Sequence, residues 1–223
     1  MKGGTEKMRG LLVKDFHLLF QRKQSIVIFI AICILMGFSS EGSFVVGYMS
    51  FLSAIFALST ISYDDADNGM LFLMTLPVER STYARSKYVL GALFCVPAWI
   101  LSVVLMLILS VVRGVPADLG NDIANAVIML PLCVFVLDLM IPLQLKYGAE
   151  KSRIVLFVVW GGLFAIIFII SKAFGNSEAV SALVSVLDRI PLGAVIAALA
   201  VLCVVLTVIS VKCSEKIMAK KTF

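Results

Sequence analysis

Six apolar stretches, Ser25–Phe38, Phe44–Ile61, Tyr88–Val112, Asn125–Leu145, Ile154–Ser171 and Pro191–Val211, occupy most of this 223-residue chain. A helix needs roughly 20 apolar residues to cross a hydrocarbon layer about 30 Å thick. Water-soluble burial of so many runs is excluded by the shortage of covering residues. Hydrophobic residues make up 61% of the chain and charged residues 15%, where soluble domains have roughly 45–50% and about 25%. The expected fold is an all-α integral membrane protein, residues 1–223 forming a single domain of six transmembrane helices. The first stretch is short for a straight span, whereas the third is long enough to cross tilted and can be kinked at Pro97. No length remains for a separate soluble catalytic domain.

The basic residues set the orientation, because lysine and arginine are retained on the cytoplasmic side. Lys2, Lys7, Arg9, Lys14, Arg22 and Lys23 precede the first stretch; Arg80, Arg85 and Lys87 follow the second. Lys146, Lys151 and Arg153 follow the fourth, and Lys212, Lys216, Lys220 and Lys221 close the chain. These are 16 of the 19 basic residues, leaving Arg113, Lys172 and Arg189 for the opposite face. Both termini are therefore expected in the cytoplasm. The net charge of +5 reads as topology and attraction to anionic lipid. Nucleic acid is not an expected partner, since no basic stretch has the interleaved aromatics such binding needs. A cleaved signal peptide is disfavoured by the 24 residues ahead of the first stretch, a long n-region.

Residues 7–23 predict an amphipathic helix lying in the membrane interface. Met8, Leu11, Leu12, Phe16, Leu18, Leu19 and Phe20 share its apolar face, interrupted by Asp15, and Lys7, Lys14, His17 and Gln21 lie opposite. His17 reads as a solvated side chain. The 26 residues Tyr63–Tyr88 make the longest loop on the basic side. Within it Asn68–Thr75 predicts a short helix carrying Met70, Leu71, Leu73 and Met74, ended by Pro77. Ser81 is the expected cap of the helix leading into the third stretch. A partly apolar helix held on the water side either docks a partner or packs on its own bundle. Asp64, Asp65 and Asp67 raise the question of a divalent cation, but the spacing is not that of a calcium loop. A two-cluster magnesium site would need more acids than the single Glu150 of the other basic-side loop. No metal is expected, and the acids read as stabilising a helix N-terminus.

Asp138 is the acidic residue set deep in an apolar stretch, between Pro131 and Pro142. Such a residue costs roughly 2.5–3.5 kcal/mol at mid-membrane on insertion scales and faces a bundle interior or water. It is a candidate substrate-path or gating residue, with a structural hydrogen bonder as the alternative. Within the external loop 172–189, Asn176–Leu187 predicts a short interfacial or re-entrant helix capped by Ser177. Cys33, Cys95, Cys133, Cys203 and Cys213 are scattered without a C-x-x-C pair and read as small hydrophobes. Gly193/Ala197 and Ser53/Ala57 are small-residue pairs suited to close helix packing.

Three stretches taken together, MRGLLVKDFHLLFQRKQ, ISYDDADNGMLFLMTLPVERSTYARSKYVLG and IPLQLKYGAEKSR, resemble the bacterial ABC-2 family of transporter permeases. The similarity is greatest to the small six-span group found beside peptide-toxin and lantibiotic exporters. The resemblance implies a dimer of permease subunits, two copies of this chain or one with a related chain, each above an ABC ATPase subunit. It implies that residues 7–23 form the interfacial helix and residues 63–88 the coupling loop. Asn68, Gly69, Met70, Leu71, Leu73, Met74 and Thr75 would form the ATPase-docking coupling helix, and Asn176–Leu187 the external re-entrant helix. The chain contains no GxxxxGK[ST] run, so no cofactor is expected on it; ATP and magnesium belong to the partner, and this chain is not an enzyme. Location in the bacterial cytoplasmic membrane follows from the same resemblance.

The implied activity is export of an amphipathic or hydrophobic cargo, with antimicrobial or toxin-like peptides favoured over polysaccharide. A different class of reading is a non-transporting membrane scaffold or a small intramembrane lipid-modifying enzyme.

Overall fold

The structure is a computed structural model that describes residues 2–21, 23–39, 42–66, 69–76, 78–114, 119–174 and 192–221. Eight α-helices occur among them: α1 Lys2–Phe20, α2 Lys23–Ser39, α3 Gly42–Asp65, α4 Gly69–Thr75, α5 Arg80–Arg113, α6 Leu119–Tyr147, α7 Ala149–Phe174 and α8 Leu192–Lys220. No strand occurs among the described residues. This is an all-α membrane protein. Four described helical segments are long and apolar enough to cross a bilayer: Phe44–Asp65, Arg80–Arg113, Asp122–Tyr147 and Gly193–Lys220. The α1 and α2 segments, bent by 67° where they meet, form a fifth candidate if taken together. The apolar stretch Ile154–Ser171 lies within α7. The predicted external helix at Asn176–Leu187 falls outside the described residues.

Helix α3 lies at the centre, against α1, α2, α4, α5, α6 and α7. Its inner face explains that position. Ser50, Ser53, Ala54, Ala57 and Thr60 are small and buried, so neighbouring backbones approach closely. Two of the hydroxyls turn back onto their own helix: Ser53 Oγ donates to the Ser50 carbonyl at 2.6 Å and Thr60 Oγ1 to that of Ala57 at 2.8 Å. A similar close approach joins α5 to α6, where a Cβ on Gly91 would stand 2.8 Å from Leu137 Cδ1. Trp99 Nε1 reinforces this pair by donating to the Ala126 carbonyl at 2.7 Å. Both helices run on through their prolines, Pro97 in α5 and Pro131 and Pro142 in α6.

The main core, with Ile61, Tyr83, Ile141, Leu145 and Met218 among its members, lies toward the basic end of the bundle. Helix α8 is the least covered of the four long candidates; it rests on α6 and α5, with Val201, Val204 and Ile209 exposed. Its C-terminal end is held by α5. Arg80 Nη1 donates to the Lys221 carbonyl at 2.8 Å, and Arg85 pairs with Glu215.

Two local expectations change. The first helix ends at Phe20, before the predicted limit of residue 23, because the apolar α2 begins at Lys23. Helix α5 begins at Arg80 with Glu79 as its extended N-cap residue, so Ser81 lies inside the first turn and is not the cap.

Candidate functional site

Helix α4 hangs between the end of α3 and the start of α5. Gly69 permits the sharp reversal, since a Cβ there would come 2.9 Å from the Asp64 carbonyl oxygen. Met70 and Leu73 are buried in the main core, with Met74 half-buried against it. Leu71, Phe72 and Leu76 face outward, Phe72 being 71% exposed, and Thr75 is exposed with them. The inner face thus anchors the helix and the outer face presents an aromatic ring. Of the predicted docking residues, Met70 and Leu73 cannot meet a partner without leaving the core. Asn68 lies outside the described residues. Phe72, absent from the sequence-based set, is the most prominent outward side chain.

Directly behind α4 is a buried ionic knot. Lys87 of α5 places Nζ 2.7 Å from Asp15 Oδ2 of α1 and 2.7 Å from Asp64 Oδ2 of α3. It also donates to Thr60 Oγ1 at 3.2 Å. The ammonium donates hydrogen bonds to Asp15 Oδ2 and Thr60 Oγ1 and meets Asp64 Oδ2 as a charge contact. Tyr83 donates to Asp64 Oδ2 at 2.9 Å, and Lys14 pairs with Asp64 Oδ1. Lys14 Nζ also lies 3.2 Å from Asp15 Oδ1, a charge contact without hydrogen-bond angles. Two lysines and two aspartates balance to zero, which is what makes their burial tolerable. The knot joins three helices at the level where α3 hands over to α4.

The interruption that Asp15 makes in the apolar face of α1 is therefore its point of attachment, with Leu11 and Leu19 buried on either side. His17 is exposed. Asp64 is not a helix N-terminal acid: it lies in the last turn of α3 and is engaged by two lysines. Asp65 comes nearer to that expectation on a different helix. A Cβ on Gly148, the residue just before α7, would lie 2.8 Å from Asp65 Oδ2, where the N-terminal dipole of α7 favours a negative charge.

Asp138 is also buried, on the side of α6 facing α8. Thr207 Oγ1 donates to its Oδ2 at 2.7 Å, and Ser210 Oγ donates to its main-chain carbonyl. Tyr88 OH lies 2.6 Å from Ser210 Oγ and 2.7 Å from Ser214 Oγ, which extends this polar seam to α5. Asp138 Oδ1 is buried without a hydrogen-bond partner. Beside it an open cleft of about 180 Å³ runs between α6 and α8, lined by Phe135, Leu199 and Leu202 among others.

Comparison with known families decides what these parts belong to. The family described as ABC-2 family transporter protein matches residues 10–219 of this chain. The chain belongs to the ABC-2 transporter family. A comparison with curated proteins finds no match. An ABC-2 permease is the membrane component of an ABC transporter and works with an ABC ATPase subunit.

In this ABC-2 permease the loop and the intramembrane acid singled out in the sequence are a two-faced helix and a buried carboxylate, and their pairings were not legible. The knot left one signal in the chain: Asp15 and Lys87 are each a charge at an otherwise apolar helical position. Two such residues of opposite sign in different helices make each other tolerable when they meet. Cys95 and Cys133, read as unrelated hydrophobes, meet at 3.3 Å between sulfurs, with Cys133 Sγ 3.1 Å from the Ser50 carbonyl.

Proposed function

We propose that this chain is the six-span permease subunit of a bacterial ABC exporter, with its basic end and both termini in the cytoplasm. An ATPase subunit docks beneath α4, and a second permease subunit, a copy of this chain or a relative, completes the pathway. Export of an amphipathic cargo, an antimicrobial or toxin-like peptide, fits walls made of Leu, Val, Ile, Phe and Met.

The observation that carries this reading is the division of α4 into two faces. Met70 and Leu73 hold the helix to the bundle while Leu71 and Phe72 are offered to a partner. A push on the outer face is passed inward because packed elements move as rigid bodies. The knot of Asp15, Asp64 and Lys87 distributes that push to α1, α3 and α5 together. ATP and magnesium are bound and consumed on the partner; this chain supplies the lever and the path, and no catalytic residue.

The test is affinity purification of the tagged chain from gently solubilised native membranes, with mass spectrometry of what accompanies it. A near-stoichiometric protein carrying a Walker A sequence is the expected companion. Recovery of the chain alone across several mild detergents, with ATP present, would refute the docking assignment and favour a membrane scaffold.

A further inference from the structure

We infer that the cleft between α6 and α8 is a binding site for a single-chain amphiphile bearing an ammonium group, whose apolar body lies along Phe135, Leu199 and Leu202 and whose cation meets Asp138. The inference deepens the export reading and rests on it for the role of the ligand as cargo, though not for binding.

The carboxylate of Asp138 is incompletely satisfied. Asp138 is 6% exposed, and Oδ1 has no hydrogen-bond partner. The one hydroxyl proton of Thr207 is shared between Asp138 Oδ2 at 2.7 Å and the Cys203 carbonyl at 2.9 Å. Ser210 is directed to the main-chain carbonyl instead. Among the described residues no ion pair includes Asp138. The knot around Lys87 shows the opposite treatment in the same bundle, where each buried aspartate has a lysine. A buried acid in an apolar wall, lacking both counter-charge and a full set of donors, is complementary to a cationic donor.

The cleft also sets the kind of molecule. Its wall is apolar apart from Asp138, with Ile128, Pro131 and Leu206 among the residues around the three already named. Asp138 lies eight residues before Lys146 along α6, about 12 Å at 1.5 Å per residue, well inside the basic end. A zwitterionic phospholipid would have to carry its phosphate to that depth to deliver an ammonium. A single-chain amine brings no anion with it, and a lysine or N-terminus on an apolar peptide lies far from the C-terminal carboxylate.

The probe is a long-chain alkyl primary amine carrying a diazirine in its tail, added to the purified chain in phosphatidylcholine nanodiscs. Photolabelled peptides are mapped and competed with unlabelled alkylamine or with the alcohol of the same length. Labelling should concentrate on 128–138 and 199–206, with the amine competing roughly tenfold better than the alcohol, as one charge-assisted hydrogen bond allows. Asp138→Asn, nearly the same shape, should erase that preference while keeping the thermal transition of the parent. Leu202→Trp, at the open mouth of the cleft, should cut labelling by the amine probe. Uniform labelling over the lipid-facing helices, an unchanged preference in Asp138→Asn, or displacement by phosphatidylethanolamine as efficient as by amine would each overturn the site. The assay uses neither ATP nor a partner chain, so its failure leaves the export reading standing, and loss of ATPase association leaves this result standing.

Discussion

Lys87 reaches from α5 to Asp15 on α1, Nζ to Oδ2 at 2.7 Å, and both side chains are 1% exposed. The residues are 72 positions apart, and their pairing pins the first helix to the bundle that carries α4. Replacement of Lys87 by methionine leaves Asp15 without its closest cation and Asp64 with Lys14 alone. The expected loss is about 3–5 kcal/mol, the range for breaking a buried pair on one side. Lys87→Met combined with Asp15→Asn should recover part of it, because Lys14 and Asp64 then balance. Thermal unfolding in detergent, read by fluorescence size-exclusion chromatography, measures the difference. Equal losses in the single and double variants would show that the charges are not coupled.

The two faces of α4 predict opposite phenotypes for neighbouring residues. Phe72→Glu should insert, remain monodisperse and lose its ATPase companion. An exposed aromatic anchor is worth about 2 kcal/mol or more at an interface, which corresponds to roughly thirty-fold weaker association. Leu73→Glu should instead lower the yield of folded protein, since it drives a charge into the core. The readout is co-purified ATPase per folded permease; retention of the companion by Phe72→Glu would remove α4 from the docking surface.

Cys95 and Cys133 report on the crossing of α5 and α6. With Cys33, Cys203 and Cys213 replaced by serine, a membrane-permeant copper oxidant should link the pair, taking two electrons and releasing two protons. Peptide mapping should recover the linked fragments, and alkylation of both thiols should fall correspondingly. Thiols that stay fully alkylable would place α5 and α6 in a different register.

Gly148 has φ of +80°, a region that costs side-chain-bearing residues about 1–2 kcal/mol. Gly148→Ala adds a contact with Asp65 Oδ2 to that cost. Adding Asp65→Ala should relieve the contact and leave the backbone term, so thermal transitions should rank parent, double variant, Gly148→Ala. A double variant no more stable than Gly148→Ala would show that Asp65 does not crowd this turn.

The membrane class, the helical content and the segregation of basic residues to one end were legible residue by residue. Each depends on how a segment partitions between water and hydrocarbon, which composition over about 20 positions encodes. Asp138 stood out for the same reason, as a costly residue in an apolar run. The orientation of α4 was not legible. A seven-residue helix makes about two turns, and with Met, Leu and Phe at five consecutive positions from Met70 to Met74 it has no polar side to read. Only the core into which Met70 and Leu73 fit tells inside from outside. The knot was beyond reach for a related cause: periodicity gives the face a charge occupies on its own helix, not which helix lies opposite. Asp15 looked like a flaw in an amphipathic pattern until α3 and α5 placed Lys87 against it. The sequence alone determined that this is an all-helical membrane protein and that its basic residues cluster between alternate apolar segments, because those are properties of single segments in solvent. Which acid meets which base, which face of α4 is free and which carboxylate is left incomplete were decided by tertiary packing, because each depends on the side chains that neighbouring helices bring within hydrogen-bonding distance.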